Sequence, residues 1–132
     1  MQRSDILRAF RRLAAETPLR MKITGTCMTP AIADGTMVSV ARARVYLPGD
    51  VVAVLRDDGD AIAHRVLGYR LWEGRPALVT QADRGDRPDA PIPLDQVLGR
   101  VETFVSPLDR IGAVGRFARA AARLVARRWR PA

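Results

Sequence analysis

The chain has 132 residues, 48% of them hydrophobic and 27% charged, with a formal net charge of +8, one cysteine and one histidine. This length suits one globular domain. A single cysteine excludes an internal disulfide, and one Cys with one His leaves too few ligands for a structural zinc site, so neither a metal nor another cofactor is expected. No apolar run approaches the roughly 18 residues of a spanning helix, and Arg3, Arg8, Arg11 and Arg12 interrupt the stretch that a secretory signal needs. The expected location is therefore the cytoplasm, with any membrane contact peripheral.

The charge is concentrated at the two ends. Residues 1–22 carry six basic against two acidic side chains, and residues 106–132 carry seven against one, whereas the middle is slightly acidic. The division expected is an N-terminal amphipathic helix (1–20), a β domain (21–105) and a basic C-terminal helix (106–132).

Residues 4–16 read as a helix with Ser4 as its cap and Asp5 in the first turn. Ile6, Phe10, Leu13 and Ala14 share one face, Arg8, Arg11 and Arg12 the other, and Pro18 ends it. Short β segments follow at 21–24, 37–43, 51–56, 61–69, 77–80 and 97–105. Between them lie turns at Pro48-Gly49-Asp50, at residues 57–60 and at Glu73-Gly74, and a Pro-rich loop over 82–93. A second helix is expected over 112–129. Val114, Phe117, Ala118, Ala121, Leu124 and Val125 form its apolar stripe, with arginines opposite. The fold class is mainly β: one compact domain flanked by two amphipathic helices.

The residues that carry chemistry are few. Cys27 follows Gly25-Thr26 and precedes Met28-Thr29-Pro30. A small residue before a nucleophile lets backbone amides approach a substrate carbonyl, and Pro30 is suited to opening a short helix. A thiol near a helix N-terminus is biased toward thiolate. An isolated cysteine is nonetheless more often a small buried hydrophobe than a nucleophile. His64 is the only imidazole that can serve Cys27 as a base, and a lone histidine is more often structural.

Taken together, these segments resemble the signal peptidases and LexA-like peptidases. That family carries a Ser-Met-x-Pro box with a following Gly/Asp turn, a Gly-Asp-Val-Val strand start, and a base immediately before Arg-Val. Here the segments read Cys27-Met28-Thr29-Pro30 with Asp34-Gly35, then Gly49-Asp50-Val51-Val52, then His64-Arg65-Val66. The base is lysine in bacterial signal peptidase I and in LexA; this chain looks like the histidine type of archaea and the endoplasmic reticulum. Thr80-Gln81-Ala82-Asp83, Asp89 six residues on, and Val97-Leu98-Gly99-Arg100 continue the likeness, which covers about residues 21–104.

The resemblance implies Cys27 as nucleophile, His64 as base and Asp89 as the carboxylate that orients His64, with Asp83 the competing orienter and Asp86 a weaker one. Gly25, Thr26, Met28 and Pro30 would border the oxyanion and substrate side, and Arg65 would pair structurally with one of these aspartates. Three departures bear on function. Cysteine replaces serine; Gly25 stands where the bacterial enzyme has a hydroxyl donor; Ala82 and Arg84 replace the Gly and Asn that flank the family's Asp. No membrane anchor is seen either.

The activity implied is cleavage of a leader or signal segment from a peptide or protein precursor. The rival is a peptidase-fold module that has lost catalysis and only holds a peptide or partner. A self-cleaving regulator is disfavoured, because no effector domain is attached. The arginine-rich C-terminal helix adds an anionic membrane as a candidate partner. Nucleic acid is not expected, because no binding motif accompanies the arginines and twenty residues are too few for a helix-turn-helix domain.

Overall fold

A computed structural model describes residues 3–25, 28, 30–56 and 59–129. Helix α1 (Arg3–Glu16) leads into β1 (Leu19–Lys22), β2 (Met37–Ala41), β3 (Val51–Leu55), β4 (Ala61–Trp72), β5 (Arg75–Gln81), β6 (Ile92–Pro93) and β7 (Val97–Val101). A 3₁₀ turn at Leu94–Gln96 precedes β7, and helix α2 (Pro107–Arg128) closes the described chain. The strands form one antiparallel sheet in the order β1-β2-β7-β3-β4-β5-β6. The protein is thus mainly β with a helix at each end.

β3 sits at the centre, between β7 and β4, and all five of its residues are buried. An apolar run with both faces covered is what a central strand requires. Val51, Ala53 and Leu55 face a cluster that includes Met28, Ile32, Val40 and Leu98. Leu7, Ile6 and Phe10 of α1 close that cluster. Val52 and Val54 face the opposite way, onto Tyr46, Val66, Leu78 and Val97.

The turn at Glu73-Gly74 is where the sequence places it, and it is a two-residue loop: β4 and β5 pair out to Trp72↔Arg75. Glu73 and Gly74 both have positive φ, 52° and 75°, which is the twist that a two-residue hairpin demands. The loop 82–93 ends in the short strand β6, which covers only Ala77 and Leu78 of β5.

Helix α2 begins five residues before the expected start. Ser106 accepts from the Asp109 amide, Asp109 returns a bond to the Ser106 amide, and Pro107 takes the first helical position. The last strand ends at Val101, not 105.

The apolar faces of the helices also need correction. In α1, Leu13 is exposed, and Leu7 with Ala14 are the buried residues. In α2, Ala113 is fully buried and Phe117 joins it over Leu67 and Val79, while Val114, Ala118, Ala121, Leu124 and Val125 remain exposed. Two glycines let α2 approach. A Cβ at Gly68 would meet the Phe117 ring at 2.8 Å, and one at Gly49 would lie 3.0 Å from Cα of Arg110. Arg110 then bonds the Pro48 carbonyl and the buried Asp50 carboxylate.

Candidate active site

His64 lies in β4 directly opposite Val52 of β3. Strand alternation puts it on the face of Ile62 and Val66, and Arg65 on the other. Its Nδ1 is hydrogen-bonded to Oδ2 of Asp89. Asp89 is itself fixed twice by one residue. Its amide donates to the Thr80 carbonyl at 2.8 Å, and its Oδ2 accepts from the Thr80 hydroxyl at 2.9 Å. Because Val66 pairs with Thr80 across β4 and β5, Thr80 and His64 share a face of the sheet. The register therefore brings the imidazole and the carboxylate together although 25 residues separate them.

A carboxylate at Nδ1 selects the tautomer with the proton there and leaves the lone pair on Nε2. The His64 side chain is 12% exposed, and Nε2 is buried without a hydrogen-bond partner among the described residues. A buried, unpartnered ring nitrogen is costly, and such groups are rare. With Nδ1 engaged by Asp89, it is the ring nitrogen left to accept a proton.

Asp83 is committed elsewhere. Arg65 grips it in a two-pronged pair, Nε to Oδ1 and a terminal nitrogen to Oδ2, both at 2.8 Å. Arg65 also donates to the Gly49 carbonyl at 2.8 Å and lies 3.9 Å from Asp109. The Asp83 hydrogen bonds hold the guanidinium pKa above its ordinary value despite burial. Asp83 thus does not reach His64, and Arg65 ties β4 to the turn beneath α2. Asp86 is exposed and makes no contact with the imidazole.

Cys27, Thr26 and Thr29 lie outside the described residues. Their neighbours are tied to the strand of His64. The Thr24 amide donates to the Ala61 carbonyl at 3.0 Å, and Met28 shares the core cluster with Ala63. Met28 is only 1% exposed, which corrects its expected place beside the substrate: it anchors the box from below. The Gly25 amide donates to Oδ1 of Asp34 at 2.8 Å, so it is not free to serve an oxyanion. Pro30 is exposed and sits in a turn closed by the Ile32 amide on the Met28 carbonyl at 2.9 Å; among the described residues there is turn rather than the expected short helix.

Sequence reasoning missed two of these roles. From the sequence Asp34 reads only as a turn residue, and Thr80 only as part of a motif. The available signal for Thr80 was its place at the end of an apolar run beside a loop rich in aspartate. Among the described residues there is no group of three or more His, Cys, Asp or Glu arranged to hold a metal ion. A scan of family models and a search of curated proteins found no match to this chain.

Proposed function

We propose that this chain is an endopeptidase of the signal-peptidase-like type that cleaves a precursor polypeptide through Cys27, His64 and Asp89. The observation that carries the reading is His64: one nitrogen held by Asp89, the other buried and unpartnered among the described residues. Thr24, three residues before Cys27, is hydrogen-bonded to Ala61 of the strand of His64, which favours bringing the thiol to that nitrogen.

In this reading Nε2 takes the proton from the Cys27 thiol as sulfur attacks the scissile carbonyl carbon. The imidazolium, steadied by Asp89, returns that proton to the leaving amine as the C–N bond breaks. The thioester that remains is hydrolysed by water, which His64 deprotonates, and the thiol is restored. Since the Gly25 amide is engaged by Asp34, the developing oxyanion is left to donors within residues 26–28. The ordered boxes along residues 21–104 favour a signal-peptidase or LexA-like arrangement of the sheet.

The test is the rate of Cys27 alkylation by iodoacetamide against pH, in wild type and in His64→Ala. The reading expects an apparent thiol pKa well below the ~8.5 of a free cysteine, returning to that value in His64→Ala. An ordinary profile that ignores His64 would sink the peptidase and leave a peptide-holding module as the better description.

A further inference from the structure

A cleft of about 1000 Å³ runs between α2 and the segment 86–91. Its lining combines two chemistries. Phe117 and Leu124 of α2, with Val79 of β5, give it apolar walls. Arg70 of β4, Arg87 of the 86–91 segment, and Arg123 and Arg127 of α2 also line it, and none is paired with a carboxylate among the described residues. Arg70 is held over the Trp72 ring, 5.4 Å from its centroid. The acids in the lining are Asp86 and Asp89, and Asp89 is occupied by His64 and Thr80.

Four guanidinium groups around apolar walls select a ligand that carries carboxylates and apolar groups together. Guanidinium binds carboxylate in a two-pronged, directional way that a lone ammonium does not match. A nucleic-acid backbone offers negative charge but nothing for Phe117, Val79 and Leu124. A polypeptide with Glu or Asp interleaved with Leu or Ile offers both. Asp89 belongs both to this lining and to the pair with His64, so a chain seated here lies beside the candidate active site.

We infer that this cleft binds an acidic, partly apolar stretch of polypeptide, and on the peptidase reading above that stretch is part of the precursor, outside the cleaved bond. The substrate class is then a precursor with an acidic recognition segment.

The experiment is fluorescence anisotropy of the full chain with a labelled twelve-residue peptide of alternating Glu and Leu. A Gln/Leu peptide and vesicles of anionic phospholipid are titrated alongside. Two double variants are compared: Arg123→Glu with Arg127→Glu in the cleft, and Arg119→Glu with Arg128→Glu on α2 outside it. All four side chains are exposed, and both variants change the net charge equally. Circular dichroism checks that each still folds.

The cleft variant is expected to weaken the Glu/Leu peptide by about tenfold or more, with the outer variant changing it less than about threefold. The Gln/Leu peptide should bind weakly to all three proteins. Equal losses in both variants would reduce the effect to net charge and overturn the site. So would binding of anionic vesicles alone, which would give the arginines to a membrane. The readout needs no thiol chemistry. Lost peptide binding with intact His64-dependent alkylation refutes the cleft alone; retained binding with an ordinary thiol refutes the peptidase alone.

Discussion

Helices α1 and α2 both interleave arginine with apolar residues, yet α1 presses Leu7 and Ala14 into the core whereas α2 buries only Ala113 completely. α1 runs under the centre of the sheet, where the odd-numbered residues of β3 need a cover. α2 crosses at β4, touches down at Gly49 and Gly68, and then leaves the sheet: every residue from 121 to 129 is exposed. The same composition thus makes a structural element in one place and the wall of a cleft in the other. What decides is not the strength of the apolar stripe but whether a strand lies beneath it.

The sharpest way to break this contrast is to truncate one buried side chain in each helix. Leu7→Ala should cost about 3 kcal/mol in chemical denaturation, as for a fully buried leucine. Phe117→Ala should cost about 2 kcal/mol, less than a core phenylalanine, because the ring is only half-buried. Equal costs would mean that α2 is as much a part of the core as α1.

Next comes the cap, which stands in for missing packing at the start of α2. Ser106→Ala should cost about 1 kcal/mol. Its partner supplies a pH signature. The Ser106 amide holds the Asp109 carboxyl below its ordinary value, with Arg65 helping. The unfolded chain therefore binds this proton more readily than the folded one. The stabilisation is present above the ordinary carboxylate range and is lost as pH falls through the lower folded value. Thermal melts of wild type and Asp109→Ala should differ at pH 6 and converge as the pH falls below the ordinary carboxylate range. A gap that persists in acid would show that the charge of Asp109 is not what stabilises the cap.

The smallest effect belongs to the outer stripe of α2. Val125→Ser should change stability by less than about 0.5 kcal/mol, because the side chain meets solvent. A loss above 1 kcal/mol that grows with protein concentration would show that another copy covers this face.

How much of this was legible follows from how local each feature is. The strands between 51 and 81 could be placed because their apolar runs end at Gly, Pro and Asp. The capping box at Ser106-Pro107-Leu108-Asp109 is written in the sequence, but the apolar stripe that starts at Val114 is the stronger pattern and points to a later start. That stripe misled, because α2 carries apolar residues on more than one face and periodicity does not say which face meets a strand. The two-residue β6 has no pattern of its own; it exists only as a partner for Ala77 and Leu78. The meeting of His64 and Asp89 depends on the register of β4 against β5, which no stretch of sequence reports. The resemblance to a peptidase family singled out Asp89, and counting residues alone would have left it level with Asp83.

One feature of α2 has a mechanical side. A helix of 22 residues is about 33 Å long, and among the described residues the restraints seen lie in its first half: the Ser106 cap, Arg110 on Asp50, and Ala113 with Phe117 on the strands. The remainder overhangs like a beam clamped at one end. Bending the free end outward breaks no core contact, so the mouth of the cleft can widen at little cost. A wall of this kind is a poor gauge of bulk. Discrimination at the cleft would then fall to the spacing of Arg70, Arg87, Arg123 and Arg127, which reads the position of charges along a chain and is tolerant of the girth of what lies between them.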